Sequence, residues 1–215
     1  MVHALPDKQC SSDPLPTRLL KANIDLLVLF LSHLFCWSLQ HGVVPSLMKS
    51  AYITPIINKA DMDSLDPKSY RPISNLSVLS KLLERLVSEQ LVKYSTDNRL
   101  LPDRQFAYRR FHSTEIAVLR VLSDILTALD SGNLAMLTLL DLSAAFDSVD
   151  RNILLHRLQT SYGLGGVVIS WFTSYLTGRT QCVRSSASSS KPSEVLYGVP
   201  KGFRLGTNPF PAIHR

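Results

Sequence analysis

Apolar and polar positions along the chain follow two periods, and the changes of period mark out the elements. In residues 76–94, LSVLSKLLERLVSEQLVKY, apolar side chains at Leu79, Leu82, Leu83, Leu86, Val87 and Leu91 recur every three or four positions. That spacing predicts an amphipathic helix with Lys81, Arg85 and Lys93 on its outer surface. A second helical stripe, Val118, Val121, Leu122, Ile125, Leu126 and Leu129, lies in residues 112–133. Ser113 or Thr114 is placed to cap its start and Gly132-Asn133 its end. Residues 24–39, IDLLVLFLSHLFCWSL, are the most apolar stretch and predict a buried helix stopped by Gly42 and Pro45.

The period shortens elsewhere. Residues 51–59, AYITPIINK, alternate in a β-branched, strand-like way and a polar turn leads on to YRPIS, where Pro72 bars itself from a central strand. Residues 134–140, LAMLTLL, have no helical period and sit between a Gly-Asn turn and Asp141. They predict a strand buried on both faces. A helix is expected over 150–158, with Asp147 or Ser148 as cap and Asp150 in its first turn, and another in GGVVISWFTSYLTGR up to Gly178. TQCVRSS and SEVLYGV read as a hairpin around the Ser-rich SSASSSKP loop. The mixed order of helices, front hairpin, strand and rear hairpin predicts a helix-rich α/β (α+β) fold rather than a doubly wound sheet. No repeat of 20–50 residues is present.

Composition narrows this picture little. A hydrophobic content of 45% supports a packed core, and 23 Lys+Arg against 17 Asp+Glu give a net charge of +6, which suits a polyanionic partner. The three cysteines, Cys10, Cys36 and Cys182, form neither a zinc pattern nor a disulfide framework, so an intracellular, reducing location (cytoplasm or nucleus) is expected. The first residues have no secretory pattern, and residues 24–39 fall short of the roughly 20 that a bilayer requires, so no membrane association is expected.

Candidate chemistry centres on LLDLSAAFDSVDR, residues 139–151. A carboxylate at the end of a buried strand costs several kcal/mol unless a cation or hydrogen bonds compensate it, and that marks Asp141. Two-metal phosphoryl transfer needs at least two converging carboxylates, however, and after Asp150 the chain holds a single further acidic residue, Glu194. Phe146 lies five residues on, where a ring could exclude a hydroxyl or simply pack. The loop QFAYRRF interleaves Tyr108, Arg109 and Arg110 with phenylalanines, a composition suited to stacking bases and neutralising phosphates.

Five segments in order carry a resemblance: YRPISNLSVLSKLLERLVSEQL, QFAYRRFHSTEIAVLRV, LLDLSAAFDSVDRNILLHRL, SWFTSYLTGRTQCV and YGVPKGFRLG. Together with LPDKQCSSDPLPTRLLK and GVVPSLMKSAYITPIINK ahead of them, they resemble the reverse transcriptases of non-LTR, LINE-like retrotransposons of the jockey type. The resemblance implies right-hand polymerase fingers plus an incomplete palm. It divides the chain into an N-terminal helical leader (1–48), fingers (49–133) and a partial palm (134–215). It also implies RNA template and DNA primer as partners, deoxynucleotide triphosphates as substrates and Mg2+ as cofactor, and leaves the oligomeric state open.

Residue by residue, the resemblance makes Asp141 the catalytic metal ligand of motif A and Phe146 the aromatic that screens the sugar 2′ position. Arg71 becomes the grip on the incoming triphosphate, with Lys59 as a further basic residue of the fingers. Tyr108, Arg109 and Arg110 lie along the template path. Motif B of this family usually reads G-V-P-Q-G-S-V-L-G-P, and here it is GVPKGFRLGT. Lys201 replaces the glutamine that braces the nucleotide, and Phe203 beside Gly202 replaces a small serine. The aromatic-x-Asp-Asp hairpin of motif C, expected further on, does not occur in these 215 residues. The resemblance therefore implies a polymerase fragment truncated before motif C and lacking activity by itself, with a non-catalytic nucleic-acid-binding remnant or a decayed relic as the alternative.

Overall fold

A computed structural model describes residues 2–5, 13, 15–57, 63, 65–66, 69–107, 109, 111–140, 147–184 and 188–199; the side chain of Arg71 lies outside the description. Six α-helices and four strands are formed among them. They are α1 (Thr17–Ala22), α2 (Ile24–His41), β1 (Ser50–Ile57), β2 (Tyr70–Leu76), α3 (Val78–Asp97), α4 (Thr114–Asp130), α5 (Arg151–Thr160), α6 (Gly166–Leu176), β3 (Thr180–Val183) and β4 (Ser193–Glu194).

The strands make one sheet in the order β2-β1-β3-β4. β1 pairs antiparallel with β2 and parallel with β3, and β3 pairs antiparallel with β4. Both expected hairpins are present, and the sheet unites strands from the 49–133 and 134–215 divisions. Pro72 lies in the edge strand β2, opposite Pro55. Two prolines can face each other only where neither is asked for an N–H, and Pro55 lies past the stretch of β1, Ser50 to Ile53, that pairs with β3.

The main core joins α3, α5 and α6. Leu83, Val87 and Leu91 meet Leu154, Leu158, Trp171, Phe172, Tyr175 and Leu176, with Val44, Met48 and Val199 at its margins. Ser77 caps α3 by accepting from Ser80 N at 3.2 Å, and Ser80 Oγ donates to Met48 O at 3.0 Å, tying the helix to the segment ahead of β1. Gly42 ends α2 in the left-handed region at φ 64°, where a Cβ would stand 2.8 Å from Val167 O. This close approach seats α2 on α6, where Trp171 Nε1 donates to Ser38 Oγ at 3.1 Å.

Four expectations are corrected. The apolar helix α2 is not buried: of its 18 residues only Leu31 and Ser38 are, while Leu26, Leu29 and Phe30 are exposed. It is the one described helix long and apolar enough to cross a membrane by length and composition, and its inner stripe of Leu31, Leu34, Phe35 and Leu39 is taken up by the core. The stripe of α4 forms as a helical face, with Ser113 as cap, but no residue of α4 is buried. Residues 134–140 form no strand and lie exposed, Leu134 at 99%. Strand geometry needs a hydrogen-bonded neighbour, and none is present for this segment among the described residues. Asp150, not Asp147 or Ser148, caps α5, its Oδ1 accepting from Asn152 N at 2.8 Å and Ile153 N at 3.0 Å.

These burial differences predict opposite outcomes for two similar substitutions. Leu158→Ala removes a side chain with no exposed surface from the main core and is expected to cost about 2–5 kcal/mol. Leu122→Ala on the open stripe of α4, 48% exposed, is expected to change stability by less than about 0.5 kcal/mol. Urea unfolding followed by circular dichroism checks both.

Candidate functional site

The sheet and the helical core leave between them a cavity of about 500 Å³. Ala51 and Ile53 of β1, Pro72 and Ser74 of β2, and Thr180 and Gln181 of β3 form its sheet wall. Asp147 and Arg151 enter from the start of α5, and residues 194–199 close it. The register explains the first wall: Ile53 pairs with Ser74 and Pro55 with Pro72, so residues two apart on each strand share one face.

Arg179 supplies the deepest charge at this cavity, at 3% exposure. The turn at Gly178, φ 62°, ends α6 and sends the chain into β3, and the arginine following it folds back beneath the helix. Its Nη1 donates to Tyr175 O at 3.1 Å, and its guanidinium lies 4.7 Å from the centroid of the Tyr175 ring. Its Nη2 is buried and has no hydrogen-bond partner among the described residues. Behind Tyr175, whose hydroxyl donates to Glu84 Oε1 at 2.5 Å, the buried Glu84 carboxyl is pushed up to about 7. Desolvation drives that rise, against the Tyr175 hydrogen bond and the positive field of Arg179 and Lys81.

Arg151 completes the basic wall. Nε donates to Gly198 O at 3.1 Å and Nη2 to Tyr197 O at 3.3 Å, so it holds the stretch ahead of Pro200 against α5. Burial and then Arg179 lower its pKa, with Glu194 acting in the opposite sense. Lys49, whose Nζ reaches Ser174 Oγ at 3.3 Å, is likewise lowered by burial and by Arg179. Lys49 and Arg151 thus each feel the charge of Arg179, and Asp147 and Glu194 share the cavity lining with the two arginines.

The residues expected to carry chemistry are described only in part. Asp141, Phe146, Lys59, Tyr108, Arg110, Lys201 and Gly202 lie outside the described residues. For Arg71 the backbone is placed in β2, opposite Ile56. Arg109 donates through Nη1 to Pro102 O at 3.2 Å, bracing its own loop, and Arg104 ties that loop to α4 through Asp124 at 2.8 Å. Among the described residues no three His, Cys, Asp or Glu side chains cluster as metal ligands, and Asp141, the ligand that the resemblance implies for Mg2+, lies outside them. Sequence reasoning missed Arg151 and Arg179. A Gly-Arg pair directly after an apolar helix was the available signal, but burial of the arginine depends on tertiary packing around Tyr175 that the pair does not encode.

The pH dependence of stability follows from Glu84. Its folded pKa of about 7 lies above its ordinary value of 4.5, so the folded state holds more protons than the unfolded state between those values. Stability is therefore expected to be greatest at the acid end of this window and to fall as pH rises through about 7. Glu84→Gln, which keeps an acceptor for Tyr175, should flatten that slope. Urea midpoints at both ends of the window, for both proteins, check it.

Comparison with known proteins adds the family. The model of the "Reverse transcriptase (RNA-dependent DNA polymerase)" family matches residues 57–210. A "Probable RNA-directed DNA polymerase from transposon BS" of Drosophila melanogaster is 36% identical over 181 residues, 83% of this chain and 19% of that protein. The "RNA-directed DNA polymerase from mobile element jockey" of Drosophila funebris is 31% identical over 201 residues, 94% of this chain and 22% of that protein. The corresponding jockey protein of Drosophila melanogaster is 30% identical over 96% of this chain and 22% of its own length. The chain therefore spans only a small part of the length of these relatives.

Proposed function

The chain belongs to the reverse transcriptase (RNA-dependent DNA polymerase) family of the non-LTR retrotransposons, and from that membership we propose that its cavity face serves an RNA-directed DNA polymerase. RNA template and DNA primer are its partners and deoxynucleoside triphosphates its substrates. The observation that supports this reading best is the cavity itself: β2, the start of α5 and residues 194–199 fall within the family match, which takes in only the last residue of β1, and together with β1 these segments, far apart in sequence, enclose one concavity.

In this reading Asp141 offers a carboxylate to a divalent cation, Arg71 and Lys59 hold the triphosphate, and Phe146 screens the sugar 2′ position. Lys201 and Gly202 border the nucleotide, and Tyr108, Arg109 and Arg110 follow the template. Arg suits phosphate because its planar fork presents paired donors. The resemblance assigns one metal carboxylate, Asp141, to these residues, and two-metal transfer needs at least two, so the role proposed for them is binding and positioning.

Two assays test this. Primer extension by the 215-residue chain with magnesium is expected to give no product, and Asp141→Asn to change nothing; Asp141-dependent extension would contradict the proposal. RNA affinity should fall steeply from low to physiological salt. Replacing Arg109 and Arg110 with Ala should flatten the logarithmic salt slope by about one unit for each phosphate that is no longer neutralised, measured by fluorescence anisotropy.

A further inference from the structure

We propose that Arg151 is a positioning residue for the nucleotide site: it locks the stretch leading to Lys201 and Gly202 onto the stretch that follows Phe146, so that one junction holds both borders of the site. The inference rests on the polymerase reading for what those borders face; the junction itself rests on geometry.

The junction forms where residues 149–151 meet residues 197–199. The Gly198 amide donates to Val149 O at 3.0 Å. Arg151 adds its side chain from the start of α5, Nε donating to Gly198 O at 3.1 Å and Nη2 to Tyr197 O at 3.3 Å. These nitrogens share one edge of a planar group, so a single rigid fork meets two successive carbonyls. Both sides of the junction are anchored. Val149 and Val199 are buried in the main core, and Asp150 between Val149 and Arg151 caps α5. Gly198 itself stands at φ 77°, in the left-handed region that favours glycine.

Covalent reach turns this junction into a constraint on the site. Phe146 lies three residues before Val149, and Lys201 three residues after Gly198. Three residues of fully extended chain span at most about 11 Å, so both borders are tethered within that distance of the same hydrogen bond. The stretch ahead of Lys201 has its other anchor on the sheet, where Ser193 and Glu194 pair with β3 and Val195 N donates to Arg179 O at 2.9 Å. Between the two anchors the side chains of Leu196 and Tyr197 are exposed, at 65% and 71%, and contribute little packing. The Arg151 fork therefore sets where this stretch runs as it approaches Lys201. A binding site needs its groups held to about 0.5 Å, which a hydrogen-bonded fork provides and an exposed stretch does not.

Calorimetric titration of the 215-residue chain with a deoxynucleoside triphosphate and magnesium, joined to amide hydrogen exchange by NMR, tests the positioning role. Saturable binding and a protected Gly198 amide are expected in the parent chain. Arg151→Gln is expected to speed exchange at Gly198 and to weaken nucleotide binding, each by about tenfold or more, while the amides of α6 keep their protection. Arg151→Lys keeps the charge without the fork and is expected to change both in the same direction; it decides alone if circular dichroism shows the glutamine variant unfolded. Parent affinity in the lysine variant would overturn the proposal, because charge would then suffice. Weakened binding with Gly198 exchange unchanged would overturn it too, because Arg151 would then act on the nucleotide directly. Parent affinity in both variants removes the proposal and leaves the polymerase reading standing, whereas a parent chain that binds no nucleotide overturns both.

Discussion

A guanidinium cannot be buried without a fixed set of partners, and Arg179 is where this constraint acts on the fold. An uncompensated ion in the interior costs several kcal/mol, so the residues around it must arrive together. Tyr175 supplies a carbonyl and a ring, and Glu84 on α3 supplies a carboxyl through the Tyr175 hydroxyl. Arg179 directly precedes β3, which pairs with β1, so meeting the needs of one charge brings α3, α6 and the sheet into register. The charged neighbours respond to this crowding. Glu84 is driven toward its neutral form by burial, while Lys49 and Arg151 are held below their ordinary values by burial and by the field of Arg179.

The cavity is a consequence of the same arrangement. Its floor is the buried arginine, its wall the alternate residues of β1 and β2, and its rim the chain that Arg151 holds at Gly198. By the family resemblance, that rim leads into the segment expected as motif B, and the start of α5 follows the segment expected as motif A. On the proposed polymerase reading, nucleotide and strand meet at this junction, with the buried charge of Arg179 beneath it.

What the sequence made legible was local. The periods of α3 and α4, the caps at Ser113 and Gly42, the stop at Gly178 and both hairpins depend on neighbours a few residues away, and each is found. Packing partners were not legible. A helical stripe defines a face but not what covers it, which is why the apolar faces of α2 and α4 were expected in a core and lie largely open. Residues 134–140 failed similarly, because a run of apolar residues becomes a strand only beside another strand. Asp150 took the cap assigned to Asp147 or Ser148 because helix starts shift by a residue or two without altering the pattern. Arg179 was hidden for the opposite reason: arginine usually stays exposed, and its burial here comes from tertiary packing around Tyr175. The motifs around Asp141, Phe146 and Lys201 were legible by resemblance alone, and they lie outside the described residues.

The account of the cavity turns on Arg179 being a fixed, buried charge held by Tyr175. Nitrogen NMR of the arginine guanidinium groups observes that charge itself. The Arg179 group is expected to exchange slowly with water while exposed arginines such as Arg104 exchange rapidly. Exchange at Arg179 as rapid as at Arg104 would contradict this.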